Sequence, residues 1–319
     1  MVITGLCWRS WLKRGFVRMV RRTVIDQKAA KKLQTSADRL SGRVVAVGVD
    51  GSPESVATAR YAVRAAADRG LDLLLVHAYL LPNFVVPVDQ RFLDTSREPA
   101  ERLVRQVAAQ LVVLSTTRIL TEVQPKLPAS LLLEVAHRVP LLVVGQGHPT
   151  WDERLLFGRV AAQVAQRSDC PVVVVPAGWR VNSTDSHHPV VIALERNSPA
   201  RLALHLAFEQ ALTEGSRLVA LHVTPYRSHQ TDIGEQTASV TEMLAGWKQD
   251  YPEVHVDLLV VRGDEDESLL RWSNSAAAVV VERPHRHWWN PWTHSAIGAL
   301  LSRTHCPLII VPQESSTPS

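Results

Sequence analysis

The chain contains the same structural unit twice. The clearest sign is a Cys-Pro step that opens a run of four branched apolar residues and closes on proline, at 169–176 and again at 305–312. The other matched positions are His77 with His222 and Ser52-Pro53 with Ser198-Pro199. This period is too long for a solenoid repeat, so we interpret it as the duplication of a whole domain. Each copy must therefore be searched for a site separately.

Short apolar runs alternate with amphipathic segments in both copies, and alternating strands and helices predict a parallel sheet that is covered on both faces. The fold class that we predict is α/β, with two tandem, open, parallel five-stranded sheets of Rossmann-like type. In copy one, strands are expected at 44–49, 71–78, 119–123, 141–144 and 171–175, and helices at 53–70, 99–111, 128–137 and 158–167. In copy two, strands are expected at 190–194, 218–223, 256–261, 277–281 and 308–311, and helices at 199–212, 240–247, 267–272 and 296–303.

Composition separates an N-terminal arm from the rest of the chain. Residues 1–43 hold eleven basic and two acidic side chains, which leaves 24 basic and 29 acidic side chains elsewhere. The predicted organisation is an arm at 1–42, disordered or partly helical, a domain at 43–176, a polar linker at 177–189, a domain at 190–313 and a tail at 314–319.

The arm is open to three interpretations. It can be a solvated tail, a basic segment that contacts anionic lipid or nucleic acid, or partly an artefact of the start codon, because Met19 is in frame. Its basic residues interrupt every apolar run, so we expect no signal peptide, and we expect no transmembrane segment. The three cysteines lack metal-ligand spacing, which predicts a reducing compartment and a cytoplasmic location.

Two turns of copy one are candidates for a binding site, because ligands of open α/β sheets bind beyond the carboxyl ends of the strands. Asp50 follows the first strand, and a carboxylate there can accept a hydrogen bond from an exocyclic amine or a ribose hydroxyl. The glycine-containing segment 143–148 follows the fourth strand and leads to a helix start, which suits phosphate. Such glycines also occur simply because tight turns need them.

Other features favour structural roles. No nucleophile, metal or Walker motif is present, so we predict that the protein is not an enzyme and binds no metal. The His- and Trp-rich segment 285–294 is expected to be a loop that packs at a domain or subunit surface. His77 and His222 end buried strands in both copies and are predicted to be structural.

At these positions the chain resembles the universal stress protein family. The segment 45–53 is similar to the opening of those domains, and the Cys-Pro segments are similar to their last strand. Gly145, two residues, His148, nine residues and then Gly158-Arg159-Val160 resemble the family's nucleotide loop. The resemblance extends over 43–313 as a tandem pair.

The resemblance implies an adenine nucleotide site in copy one, with ATP as the ligand. In the family the residue at Asp50 contacts adenine, Ala78 stands at a small position facing the base, and the glycines hold phosphates. The implied site consists of Asp50, Gly51, Ala78, Val144, Gly145, His148, Gly158, Arg159 and Val160. Two of these depart from the pattern. His148 replaces the middle glycine, and its side chain either crowds the approach of phosphate or replaces a backbone contact with an imidazole contact. Arg159 replaces a serine or threonine, although a guanidinium can bind phosphate.

Copy two has lost the corresponding landmarks. Arg196 stands where the aspartate is expected, Glu282 replaces the first glycine and His285 the second, and the third falls on His294 or Ser295. A carboxylate at a phosphate-binding turn repels an anion. We therefore expect no nucleotide in copy two.

Together these features predict a non-enzymatic stress-response module that binds an adenine nucleotide weakly in copy one only. A nucleotide-free interaction scaffold and a slow ATPase remain as alternatives. Domains of the family pair through their last strands, which implies an internal pseudo-dimer with 172–175 against 308–311. A homodimer and an unidentified protein are further expected partners, and no specific nucleic acid is expected.

Overall fold

The structure is a computed structural model that describes residues 43–79, 90–147, 157–180, 188–194, 200–224, 226, 230–283 and 296–313. Copy one contains the strands β1 (Val44–Gly48), β2 (Asp72–Ala78), β3 (Ile119–Gln124), β4 (Leu141–Gly145) and β5 (Val172–Val175). Its helices are α1 (Pro53–Asp68), α2 (Gln90–Val112), α3 (Pro128–Ala136) and α4 (Phe157–Arg167).

Copy two repeats this order of elements. Its strands are β6 (Val190–Ala193), β7 (Leu218–Thr224), β8 (Val256–Arg262), β9 (Ala278–Glu282) and β10 (Leu308–Val311). Its helices are α5 (Arg201–Glu214), α6 (Gln230–Asp250), α7 (Glu265–Ser273) and α8 (Ala296–Arg303). The predicted α/β class and the duplication are confirmed.

The ten strands form one continuous sheet in the order β3-β2-β1-β4-β5-β10-β9-β6-β7-β8. All neighbours within a copy are parallel, whereas β5 and β10 pair antiparallel, with Val173 opposite Ile309. The predicted seam between the two last strands is therefore confirmed. Pairing of these strands also removes two apolar edges that would otherwise be exposed.

Each face of the sheet carries one hydrophobic cluster, and both clusters draw residues from both copies. One face is covered by α1, α2, α5 and α6, as shown by Leu111 and Phe208, which are both fully buried. The opposite face is covered by α3, α4, α7 and α8 and includes Val164 and Leu300. The two copies therefore share their core, because the same continuous sheet underlies it.

Helix α1 illustrates how local sequence determines an element that borders the candidate site. The Ser52 hydroxyl caps the helix by accepting a hydrogen bond from the Ser55 N–H at 3.1 Å, and Pro53 occupies the first turn, where its missing N–H costs nothing. The helix ends before Gly70, whose φ of +61° favours glycine. These limits agree with the prediction from the sequence.

The predicted start of α2 was wrong. We expected the helix to begin at Pro99, but it begins at Gln90 and contains Pro99 in its interior. The ion pairs Arg97–Glu101 and Glu98–Arg102 span the proline at helical spacing, and an apolar face continues to Leu111. Packing of that face on the sheet outweighs the hydrogen bond that proline cannot donate.

Two limits in copy two also differ from prediction. Helix α6 covers Gln230–Asp250, much more than the expected 240–247, because its polar first turns gave little periodic signal. Helix α5 begins at Arg201, after Ala200 with a φ of +44°, and the expected start at Pro199 lies outside the described residues.

Candidate functional site

The carboxyl ends of three neighbouring strands form the candidate site in copy one. Strand β1 lies between β2 and β4, with Val47 paired to Leu75 on one side and to Val143 on the other. Because the three strands are parallel, their ends meet at one edge of the sheet. The predicted site residues at this edge are Asp50, Gly51, Ala78, Val144 and Gly145.

Asp50 is exposed and is oriented by the cap of α1. The N–H of Ser52 donates to Asp50 Oδ1 at 2.9 Å, and the Ser52 hydroxyl donates to the same oxygen at 2.6 Å. Partial desolvation by neighbouring groups would by itself raise the pKa of this exposed carboxyl, but hydrogen bonds from Ser52 and Ser55 outweigh it, so the pKa lies below its ordinary value. Asp50 therefore presents an ionised carboxylate at neutral pH.

Gly51 is required by its surroundings as well as by its backbone. Its φ is +86°, and a Cβ added there would lie 2.7 Å from Leu103 Cδ1 of α2. Its N–H donates to the Ser55 hydroxyl at 3.1 Å. The turn after β1 is thus held closely between α1 and α2, and a side chain there would both strain the backbone and require Leu103 to move.

A groove of about 440 Å³ opens beside Asp50, between this turn and α2. It is lined by Asp50, Gly51, Val56, Pro99, Arg102, Leu103, Gln106, Val107 and Gln110. The groove combines a carboxylate, a guanidinium and two carboxamides with an apolar floor. Its volume lies within the range of small-molecule sites.

Sequence reasoning missed the contribution of α2 to this groove. Arg102, Gln106 and Gln110 recur every four residues and so share one helical face, and that spacing is visible in the sequence. The spacing identifies a polar stripe, but it does not indicate that the stripe faces Asp50. Only the packing of α2 on the sheet brings the two together.

The turn after β4 forms the other side of the candidate site. A Cβ added at Gly145 would lie 2.8 Å from Thr58 Oγ1 of α1, so close packing requires this glycine whether or not a ligand binds. Gly147 has a φ of +75°. His148 lies outside the described residues.

Helix α4 begins one residue before Gly158, so Gly158 and Arg159 belong to its first turn. The unpaired N–H groups at a helix start favour an anion. Val160 is partly buried and packs against the cluster beneath α3 and α4. The side chain of Arg159 lies outside the described part of the chain, and phosphate binding at this helix start stays a prediction.

Gln146 is a second residue that sequence reasoning missed. Its Nε2 donates to the carbonyl of Leu301 in α8 at 2.7 Å, and its Oε1 accepts from the Ala177 N–H at 3.2 Å. The predicted phosphate turn of copy one is therefore attached to copy two. No sequence signal for this contact exists, because Gln146 and Leu301 are 155 residues apart.

In copy two the turn after β9 begins with charged residues, whereas the turn after β4 in copy one begins with glycine. Glu282 ends β9 and is buried, and Arg283 follows it, with Nη1 donating to the carbonyl of Ser168 at 2.7 Å. Burial lowers the pKa of Arg283, while the Asp169 carboxylate acts in the opposite direction. Arg196, His285, His294, Ser295 and the segment 285–294 lie outside the described residues, and the expectations for them stay predictions.

The two strand-end histidines have equivalent structural contacts. His77 Nδ1 donates to the carbonyl of Val49 at 2.7 Å, and His222 Nδ1 donates to the carbonyl of Leu194 at 2.8 Å. Each ring therefore holds the residue that follows the neighbouring strand β1 or β6. This repetition in both copies supports the predicted structural role.

Among the residues that the structure describes, no three His, Cys, Asp or Glu side chains are grouped closely enough to hold a metal ion. Within the same residues, none of the helices combines the length and apolar character that crossing a bilayer requires.

Comparison with known proteins identifies the family of this chain. The model of the universal stress protein family matches residues 42–176 and again residues 187–312. The chain belongs to the universal stress protein family. The resemblance deduced from the strand-end motifs is thereby confirmed, for both copies.

Individual relatives agree with the tandem arrangement. A universal stress protein of Mycolicibacterium smegmatis is 30% identical over 294 residues, which is 86% of this chain and 95% of the relative. A universal stress protein of Mycobacterium tuberculosis is 28% identical over 286 residues, which is 84% of this chain and 97% of the relative. The crystal structure of a universal stress protein from Archaeoglobus fulgidus aligns with a TM-score of 0.65 at 16% identity, over 86% of this chain and 97% of that one.

Proposed function

We propose that this universal stress protein is a non-enzymatic stress-response module that binds an adenine nucleotide, such as ATP, in copy one and no nucleotide in copy two. The observation that carries the proposal is the Asp50 carboxylate, held ionised beside a groove of about 440 Å³ at the end of β1. A carboxylate in this place can accept a hydrogen bond from the exocyclic amine of adenine.

The phosphates are proposed to bind on the other side of the site, where the turn after β4 leads to α4. Under the proposal, the N–H groups at the start of α4 around Gly158 bind the phosphates, because helix starts favour anions. Arg159 supplies a guanidinium in place of the hydroxyl of the family pattern. His148 adds an imidazole where other members have glycine.

Copy two is proposed to bind no nucleotide because a carboxylate begins its turn after β9. Buried Glu282 ends β9 where Gly145 ends β4, and a carboxylate next to phosphate costs free energy. Copy two then contributes the second half of the shared core. A role as an interaction scaffold is the outcome that remains if copy one also proves empty.

A non-enzymatic role fits the contacts of Asp50. Its partner Ser52 uses its hydroxyl to cap α1, so the pair stabilises a helix and does not resemble an activated nucleophile. A cytoplasmic location is proposed because the two described cysteines are free thiols.

The experiment is titration calorimetry of the full chain with ATP, repeated on Asp50→Ala and on the control Glu267→Ala. Glu267 is an exposed carboxylate of copy two, with 72% of its side chain accessible. We expect one ATP per chain, with affinity lost in D50A and kept in E267A. Absence of heat and of thermal stabilisation in millimolar ATP would support the scaffold, and release of ADP would support a slow ATPase.

A further inference from the structure

Two equivalent residues, Gln146 in copy one and Arg283 in copy two, each reach across the β5–β10 seam to contact the other copy. Gln146 directly follows β4, and Arg283 directly follows β9. The Gln146 N–H donates to the carbonyl of Val175, and the Arg283 N–H donates to the carbonyl of Val311, so both lie beside their own last strand. From there the Gln146 side chain reaches α8, and the Arg283 side chain reaches the end of α4.

The antiparallel seam explains why these contacts exist. Because β5 and β10 run in opposite directions, the carboxyl edge of each copy adjoins the amino edge of the other copy's last strand. The turn that begins a nucleotide site in one copy therefore lies against the end of the last helix in the other. Carbonyls at helix ends lack intrahelical partners, so they are free to accept these side-chain hydrogen bonds.

Arg283 makes the stronger of the two contacts. Its guanidinium donates at 2.7 Å to the carbonyl of Ser168, the first residue after α4, where the helix dipole favours a cation. Asp169 adds a carboxylate nearby, and its Oδ2 lies 2.9 Å from Nδ1 of His137. The end of α4 is thus held by a half-buried charge that comes from copy two.

The same helix links this contact to the proposed nucleotide site. Helix α4 has eleven residues and so is about 16 Å long, with Gly158 at its start and Ser168 immediately beyond its end. Its middle is anchored in the sheet cluster by Val164, which is fully buried. If the eleven-residue helix turns about this anchor as one rigid body, a change at its end shifts its start.

We propose that Arg283 is a positioning residue for the nucleotide site of copy one, acting through α4. The inference rests on the proposed function, because it takes the start of α4 as the phosphate site. Copy two then contributes to nucleotide affinity without binding nucleotide itself, through the turn in which its own site has been lost. A merely structural Arg283 would change stability but not the ATP affinity of the folded chain.

The test uses the full chain with Arg283→Gln, Arg283→Lys and the matched control Arg271→Gln. Arg271 is an exposed arginine of copy two in an ion pair with Glu267. Two quantities are measured: amide hydrogen exchange of α4 without nucleotide, and the ATP dissociation constant by calorimetry. We expect R283Q to exchange several-fold faster in α4 and to bind ATP roughly three- to tenfold more weakly, with R271Q unchanged and R283K intermediate.

The exchange measurement tests whether Arg283 anchors α4, and the dissociation constant tests whether that anchoring affects ATP binding. Equal exchange of α4 in R283Q and R271Q overturns the anchoring, and this comparison needs no nucleotide. Faster exchange with an unchanged dissociation constant overturns the transmission along α4. A wild-type chain that binds no ATP overturns the proposed function, and the positioning role with it, while the exchange data still decide the anchoring. If R283Q does not fold, R283K takes its place, and wild-type values for it overturn the proposal.

Discussion

Val173 and Ile309 are equivalent residues of the two copies, and they are also each other's partner across the seam. Each is the third residue after its Cys-Pro cysteine, Cys170 or Cys306, and the two lie opposite one another between β5 and β10. The pairs on either side, Val172 with Ile310 and Val174 with Leu308, are arranged symmetrically about them. The pseudo-twofold axis of the molecule therefore passes between Val173 and Ile309.

Shortening the side chain of Ile309, which lies at this axis, should lower the stability of the protein. Ile309 is 2% exposed and belongs to the cluster shared by both copies, so Ile309→Ala leaves a cavity between them. We expect the free energy of unfolding to fall by about 2–5 kcal/mol in urea titrations. Val113→Ala is the control, because Val113 is 81% exposed and its loss should change stability by less than about 0.5 kcal/mol. Equal effects of the two substitutions would contradict a shared core.

The two copies should unfold together. Both hydrophobic clusters contain residues of both copies, so neither copy can lose its core while the other keeps its own. We expect one calorimetric transition whose van't Hoff and calorimetric enthalpies agree. Two resolved transitions, or a transition that splits only in Ile309→Ala, would show that the copies are independently stable.

The buried thiols should make the protein sensitive to alkali. Burial raises the pKa of Cys170 and of Cys306 to about 11 each, from the ordinary thiol value of 9.0. Between these values the folded chain keeps protons that the unfolded chain releases, so stability falls as pH rises from about 9 to about 11. Each thiol contributes a slope of about 1.4 kcal/mol per pH unit in that window.

The measurement is the free energy of unfolding from pH 8 to pH 11 for the wild-type chain and for Cys170→Ala/Cys306→Ala. We expect a shallower slope in the double variant. In the Cys7→Ser background, a thiol reagent should modify Cys170 and Cys306 only after denaturant is added. Rapid modification of the folded chain would show that these thiols are accessible.

The close approach of β4 to α1 can be tested by a compensating pair. Gly145→Ala places a Cβ 2.8 Å from Thr58 Oγ1, so we expect a loss of about 1–3 kcal/mol in unfolding free energy. The double variant Gly145→Ala/Thr58→Ala should recover part of that loss, because it removes the crowded hydroxyl. Gly246→Ala is a control for an added Cβ without crowding, since nothing lies within 4 Å of it and its φ, like that of Gly145, is not positive. No recovery in the double variant would mean that crowding is not the cause.

Much of the fold was predictable because its signals are local. The repeated Cys-Pro runs, the cap at Ser52 and the turn at Gly70 act over a few residues, so they mark strands and helix limits directly. The family resemblance rests on the same short segments. Helix α2 was predicted poorly, because a rule for proline at helix starts cannot anticipate how strongly the rest of the helix packs.

The candidate site was predictable only in part. Asp50, Ala78 and Gly145 could be placed at one edge, since parallel strands end on the same side of a sheet. The polar stripe of α2 and the contacts of Gln146 and Arg283 could not be placed. They depend on the direction in which a helix face points and on which strand of copy two lies beside copy one.

The sequence by itself determined the duplication, the alternation of strands and helices, and the asymmetry between Gly145 in one copy and Glu282 in the other. Hydrophobic periodicity and residue chemistry are local properties that persist in any compact form of the chain. Tertiary structure alone decided that α2 closes a groove over Asp50 and that Arg283 holds the end of α4. Such contacts join residues that are distant in sequence, and the contact of Arg283 with Ser168 exists only once the strands β5 and β10 have paired antiparallel.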